Sequence, residues 1–149
     1  MIINVERRTP GGVEVESINL DIENDFNIDE TQLSKNMTLS GSTIARYASL
    51  ASDLRAESAR KKAELEFYES GLELRIRDEA SKKGVKTTED MIKSLKRTDQ
   101  KRYDMNITLL ESEHNCDKME NLFRALVKKI DLLIALSYKQ KAELKGSGW

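Results

Sequence analysis

"MNITLLESEHNCDKMENLFRALVKKIDLLIALSYKQKAEL", residues 105–144, decides the fold. Taken at alternating steps of four and three, its positions are Met105, Leu109, Ser112, Cys116, Met119, Phe123, Leu126, Ile130, Leu133, Ser137, Gln140 and Leu144. Nine of these twelve are apolar, and that spacing places them on one face of an α-helix. The stretch contains neither Pro nor Gly, so the pattern predicts one long helix from Thr98 to about Lys145. Leu110, Leu122 and Ile134 widen the stripe beyond what a single neighbouring helix covers.

Upstream, a second pattern without proline runs from Ser42 or Thr43 to about Ser81. Its apolar positions are Tyr47, Ala51, Leu54, Leu65, Tyr68, Leu72 and Ile76. Leu54, Leu65 and Ile76 are eleven residues apart, a period of a nearly straight or slightly right-handed pack. The middle of the stripe, Ser58 to Lys62, is polar and is expected to face something other than a partner helix. Gly84 is the C-terminal stop signal, and Thr87 is expected to cap a short helix carrying Met91, Ile92 and Leu95. The two long helices therefore fold back as an antiparallel hairpin with residues 82–98 as its tip.

The N-terminal part reads differently. Residues 2–18 alternate β-formers with polar residues around Thr9-Pro10-Gly11-Gly12, the signature of a short hairpin. A hairpin alone is marginal in water, so it is expected to pack on something else, such as a neighbouring subunit. In "FNIDETQLSKNMTL" (26–39), Asp29 is an N-cap, Gln32 holds the capping-box position and Ile28 can staple onto Leu33. A short helix over about 30–39, ended by Ser40-Gly41, follows. The expected organisation is an N-terminal arm or β-hairpin over 1–25, an all-α domain over 26–145 and a flexible tail over 146–149.

Composition agrees with long amphipathic helices: 34% charged, 5% aromatic and one proline in 149 residues. A lone Cys116 and a lone His114 exclude a disulfide framework and a Cys/His zinc site. Cys116 falls on the apolar stripe and reads as a core residue; His114, two positions away, points to another face. No apolar run approaches the roughly 20 residues of a membrane span, and the N-terminus lacks a signal-peptide core, so a cytoplasmic chain is expected. Phosphate-binding glycine loops, nucleophile elbows and HExxH are absent, and the acids form no cluster for a divalent metal. The reading is a protein that is not an enzyme and uses no cofactor.

The net charge of −1 hides an uneven distribution. Residues 1–42 hold three cations and eight acids, whereas 75–102 hold ten cations and five acids. Such a local basic patch attracts a polyanion even on a near-neutral chain. Arg60-Lys61-Lys62 has two readings. It is either a solvated face paired with Glu57, Glu64 and Glu66 at helical spacing, or a phosphate-contacting patch with Phe67 and Tyr68 near enough to stack bases. Arg75, Arg77, Lys82, Lys83 and Lys86 form a second basic run with the same two readings. On the last helix, Leu109, Met119, Leu122, Phe123, Leu126, Ile130, Leu133 and Ile134 make a stripe broad enough to predict an oligomer interface.

Several segments together resemble the UvsY-like recombination mediator family of tailed phages: "IDETQL" (28–33), "YASLASDL" (47–54), "ARKKAELEFYESG" (59–71), "LRIRDEA" (74–80), "GVKTTEDMI" (84–92) and "RALVKKIDLLIAL" (124–136). The match covers about 26–136 and rests on the order and spacing of individually weak motifs. The resemblance implies a ring-like homo-oligomer that binds single-stranded DNA coated by single-strand-binding protein and helps a RecA-like recombinase replace that coat. It also implies the cytoplasm of a host cell as location. Lys62 matches one basic position that the family associates with DNA; the second falls on Glu64, which shifts weight to Arg60, Lys61 and the tip cations. The alternative is a helical oligomeric scaffold or adaptor with no nucleic-acid role.

Overall fold

The computed structural model describes residues 1–146; the remainder of the expected tail, 147–149, lies outside the described residues. In chain order the elements are β1 (Ile2–Thr9), β2 (Gly12–Asn19), α1 (Ile22–Phe26), a 3-10 turn (Glu30–Gln32), α2 (Leu33–Lys82), α3 (Glu89–Arg97) and α4 (Gln100–Gly146). The all-α class with two long helices, short accessory helices and a small antiparallel hairpin is as the periodicities predict. The chain divides into two compact units, residues 1–54 with everything from Asn115 onward, and residues 55–114.

In the first unit, β1 and β2 pair antiparallel from Ile2↔Asn19 to Thr9↔Gly12, leaving Pro10-Gly11 as the connection. This register puts Ile3 opposite Ile18 and Val5 opposite Glu16. Ile3 and Val5 are buried, whereas Val13 and Val15 belong to the other face and are exposed. The hairpin packs on its own chain: Ile3, Val5 and Leu20 join Tyr47, Leu50, Leu54, Cys116, Met119 and Leu126 in one core. From outside, Arg7 links the two strands through Glu16 (2.9 Å) and ties the hairpin to α2 through Asp53 (3.0 Å).

Ser40-Gly41 does not end a helix. The residues expected as a short helix over about 30–39 instead enter the first turns of α2, which continues to Lys82. Leu33 and Ser40 are buried on the same helix, and interior packing outweighs the roughly 1 kcal/mol that glycine costs there. Asp29 does cap as expected, accepting from the Thr31 backbone N–H at 2.9 Å, but it caps the 3-10 turn. The short helix α1, with Asp21 as its cap, escaped the periodicity because five residues are too few to show one.

In the second unit α2 ends in a Schellman motif. Gly84 takes φ +67°, the Val85 N–H donates to Ala80 O (2.9 Å) and the Gly84 N–H to Ser81 O (3.0 Å). The next cap is Thr88, one residue later than expected; its hydroxyl accepts from the Met91 N–H (3.3 Å). Thr98 closes α3, and α4 begins after Asp99, whose carboxylate accepts from the Arg102 N–H (2.7 Å). Moving along α2 from Glu57 to Glu69, the α4 partners run back from Ser112 to Arg102, so the two helices are antiparallel here.

Candidate nucleic-acid interface

The core stripe of α2 in the second unit runs Leu65, Leu72, Ile76 and Ala80, with Ile92 of α3 against it. Extended back by helical steps, the same stripe reaches Lys61 and Glu57. Both turn inward. Glu57 is 5% exposed, Lys61 Nζ lies 2.7 Å from its Oε1, and Ser112 Oγ of α4 donates to that oxygen at 3.4 Å. Of the polar interruption Ser58–Lys62, Lys61 therefore turns inward beside Glu57, while Ala59 and Lys62 stay exposed. Ser112 stands where α4 breaks its own apolar pattern, so two polar gaps meet in a small buried layer. A polar pair is tolerated there because each partner satisfies the other.

This divides the basic tripeptide. Lys62 is exposed and forms no ion pair with any described residue; Arg60 is half-buried; the Lys61 side chain is only 15% exposed and held by Glu57. The neighbouring aromatics divide as well. Tyr68 is half-buried, with its hydroxyl donating to Asp99 (3.1 Å) and its ring flanked by Arg75 (5.6 Å) and Lys101 Nζ (4.9 Å). Phe67 is 83% exposed. Of these two, Phe67 is the one that presents a free ring face of the kind on which a base stacks.

Of the tip cations, Arg77 lies 2.9 Å from both Glu73 and Glu89, and Lys82 is 2.6 Å from Asp78. The pairs with Glu73 and Glu89 raise the Arg77 pKa, and the Arg77 hydrogen bond leads the causes that lower that of Glu73. Such exposed pairs contribute little stability and exchange readily for another anion. Lys83 and Lys86 form no ion pair among the described residues. Sequence reasoning passed over Lys93, Lys96, Arg97, Lys101 and Arg102, which the α3 turn brings into the same unit. Their signal was present, since residues 84–103 hold six cations, but short helices hide which of them share a side.

The expected interface residues on α4 also separate. Leu109, Met119, Leu126 and Leu133 are buried inside the chain itself. Leu122, Phe123 and Ile130 are half-buried, and Ile134 is exposed together with Val127, Leu132 and Tyr138. Among the described residues no group of three or more His, Cys, Asp or Glu could hold a metal ion, and no helix is long and apolar enough to cross a membrane.

No protein-family model and no curated protein sequence matches the chain. Among solved structures it is similar to the recombination mediator protein UvsY of bacteriophage T4, with a TM-score of 0.66 at 13% sequence identity, over 83% of this chain and 93% of that one. At that identity the likeness is one of fold alone.

Proposed function

We propose that this chain is a single-stranded-DNA-binding recombination mediator, a ring-like homo-oligomer that helps load a RecA-like recombinase onto DNA coated by single-strand-binding protein. The observation that carries this reading is the likeness of fold to a recombination mediator over most of both chains. Lys62 and Phe67, one exposed cation and one exposed ring on the same helix, supply phosphate contact and base stacking without base-edge readout. Arg60 and the tip cations Arg75, Arg77, Lys82, Lys83 and Lys86 extend the electrostatic footprint; Lys61 supports it from below by holding Glu57. The uncovered apolar residues of α4, chiefly Val127, Ile134 and Tyr138, support assembly, and assembly turns a weak patch into useful binding because later subunits meet a tethered strand.

The test is a salt titration with labelled single- and double-stranded oligonucleotides. Single strands are expected to bind, with log affinity falling against log salt by about 0.7 per phosphate contact. Lys62→Glu with Lys83→Glu and Lys86→Glu should lower affinity and flatten that slope, with the oligomeric state retained. An unchanged slope in a folded variant returns the charges to a solvated face and favours the scaffold reading, which the carboxylate pairs of Arg77 and Lys82 already suit. Absence of any salt-sensitive binding by the parent removes the mediator reading altogether.

A further inference from the structure

The first unit carries a polar cavity of about 250 Å³ that the DNA reading does not use. α1 and the residue after it supply Asp25 and Asn27, α2 supplies Asn36, Ser40 and Thr43, and α4 supplies Lys129. Leu39 is the one apolar residue among the described lining, so the cavity is no gap in the apolar core.

Two of its side chains are deeply buried and have donors to spare. Ser40 is 4% exposed and Lys129 8%. The Ser40 hydroxyl has no hydrogen-bond partner among the described residues, which is uncommon for a buried polar group. A helical hydroxyl often donates back to the carbonyl four residues earlier. Thr38 does so, to Ser34 O at 3.1 Å, but Ser40 does not. Lys129 spends one of its three N–H donors on the Asp25 carbonyl (2.8 Å) and forms no ion pair among the described residues. The Asp25 carboxylate already accepts from the Tyr47 hydroxyl through Oδ2 (2.9 Å). Burial lowers the Lys129 pKa, and the attraction of Asp25 offsets only part of that.

A buried ammonium without a counter-ion is costly. Water satisfies the hydroxyl and the spare N–H groups but brings no charge; an anion brings both. Asp25 in the same wall repels a second negative charge, which disfavours a sulfate or phosphate dianion. The volume lies below the roughly 300 Å³ at which pockets for drug-sized ligands begin. We propose that this cavity binds a small monocarboxylate, whose oxygens accept from Lys129 Nζ and Ser40 Oγ while a polar substituent of the ligand meets Thr43 and Asn27. The bound ligand joins α1, α2 and α4, so it stabilises the first unit by mass action. Lys62 and the tip cations take no part, and either reading can fail without the other.

The probe is glycolate, with glycolamide as its uncharged counterpart and sulfate as a dianion, titrated into the full chain and followed by the methyl resonances of Leu39 and Thr43. Glycolate should move both saturably and bind at least about tenfold more tightly than glycolamide, because charge-assisted bonds are about twice as strong as neutral ones. Sulfate should compete poorly. Lys129→Met should erase the preference for glycolate over glycolamide, and Ser40→Ala should weaken glycolate about fivefold, the loss of one hydrogen bond. The titration of the parent stands even if a variant misfolds. Unmoved methyls up to high millimolar glycolate would leave water as the occupant and overturn the proposal. So would equal binding of glycolamide, equal binding of sulfate, or full glycolate binding by a folded Lys129→Met. The salt titration with oligonucleotides reports on DNA binding independently of all these results.

Discussion

Residues 1–54 with 115–146 and residues 55–114 bury different materials. The first unit gathers ten buried residues, from Ile3 through Tyr47 to Leu126, into one apolar cluster capped by the hairpin. The second has a cluster of three, Leu72, Ile76 and Ile92, and an inward-facing Glu57–Lys61 pair with Ser112. It is completed by surface pairs: Arg77 with Glu73 and Glu89, Lys96 with Glu73, and Arg102 with Glu69. Apolar burial is the stronger stabiliser, so opening free energy should be higher in the first unit, and the second should exchange its amide protons sooner. The unit left with sparse burial is also the richer in cations, with fourteen of the twenty-five Lys and Arg. A surface that keeps its cations in water cannot at the same time be an apolar core.

The sharpest way to break that contrast is a cavity in the first unit. Leu126→Ala, at a position 1% exposed, should cost about 2–5 kcal/mol in urea denaturation. A cost below about 1 kcal/mol would mean that the cluster is loosely packed and that the two units do not differ as described. Next in size is the polar layer of the second unit. Lys61→Met leaves Glu57 buried without its cation and should cost about 1–3 kcal/mol, less than for a fully enclosed pair because Lys61 keeps an edge in solvent. Replacing both, as Glu57→Met with Lys61→Met, should recover most of the loss. A double variant no better than the single one would show that the pair is favourable in itself.

Most of the fold was legible because it is local. The four-three spacing of 105–144 and the alternation of 2–18 depend on neighbours in sequence, and α4 and the hairpin stand where those periods put them. The misreadings have one physical cause. The weight of Ser40-Gly41 as a stop and the inward turn of Lys61 are each decided by what lies across the interior, on residues far away in the chain. Ser112 was the available clue to the polar layer, but nothing in one sequence states that its gap meets the gap at Ser58–Lys62. For the candidate site, the residue types were readable and their exposure was not: Lys61 and Lys62 are adjacent and chemically equal, yet only one reaches solvent freely.

Two glycines give a smaller effect of opposite sign in the two units. Gly84→Ala forces a Cβ into the left-handed region at φ +67° and should destabilise the second unit by about 1–2 kcal/mol, although the added methyl meets nothing. Gly41→Ala, inside α2 with open space around it, should stabilise the first unit by about 0.5–1 kcal/mol. A destabilising Gly41→Ala would restore the helix break expected from Ser40-Gly41. Thermal melts of the two variants, compared with the parent, read both.

An effect of similar size isolates a polar feature inside the more apolar unit. Tyr47 is fully buried and donates its hydroxyl to Asp25 Oδ2 at 2.9 Å, while Lys129 Nζ donates to the Asp25 carbonyl at 2.8 Å. Tyr47→Phe should cost about 1 kcal/mol at neutral pH, the net value of one such bond. Burial, reinforced by Asp25, raises the phenol pKa above its ordinary 10.0, so the neutral ring is favoured in the folded state. That contribution is fully present below pH 10.0 and is lost as pH rises through the folded value. Lys129 has the opposite sign. Burial lowers its pKa from 10.5, so its charged form is a burden at neutral pH that is relieved as pH climbs towards 10.5. Stability measured by urea melts should therefore rise gently on the approach to pH 10 and fall beyond it. Tyr47→Phe should remove part of the fall, and Lys129→Met should remove part of the rise. If Tyr47→Phe retains the full alkaline loss, the phenol does not stay protonated in the folded chain, and the interior of the first unit admits more water than its burial implies.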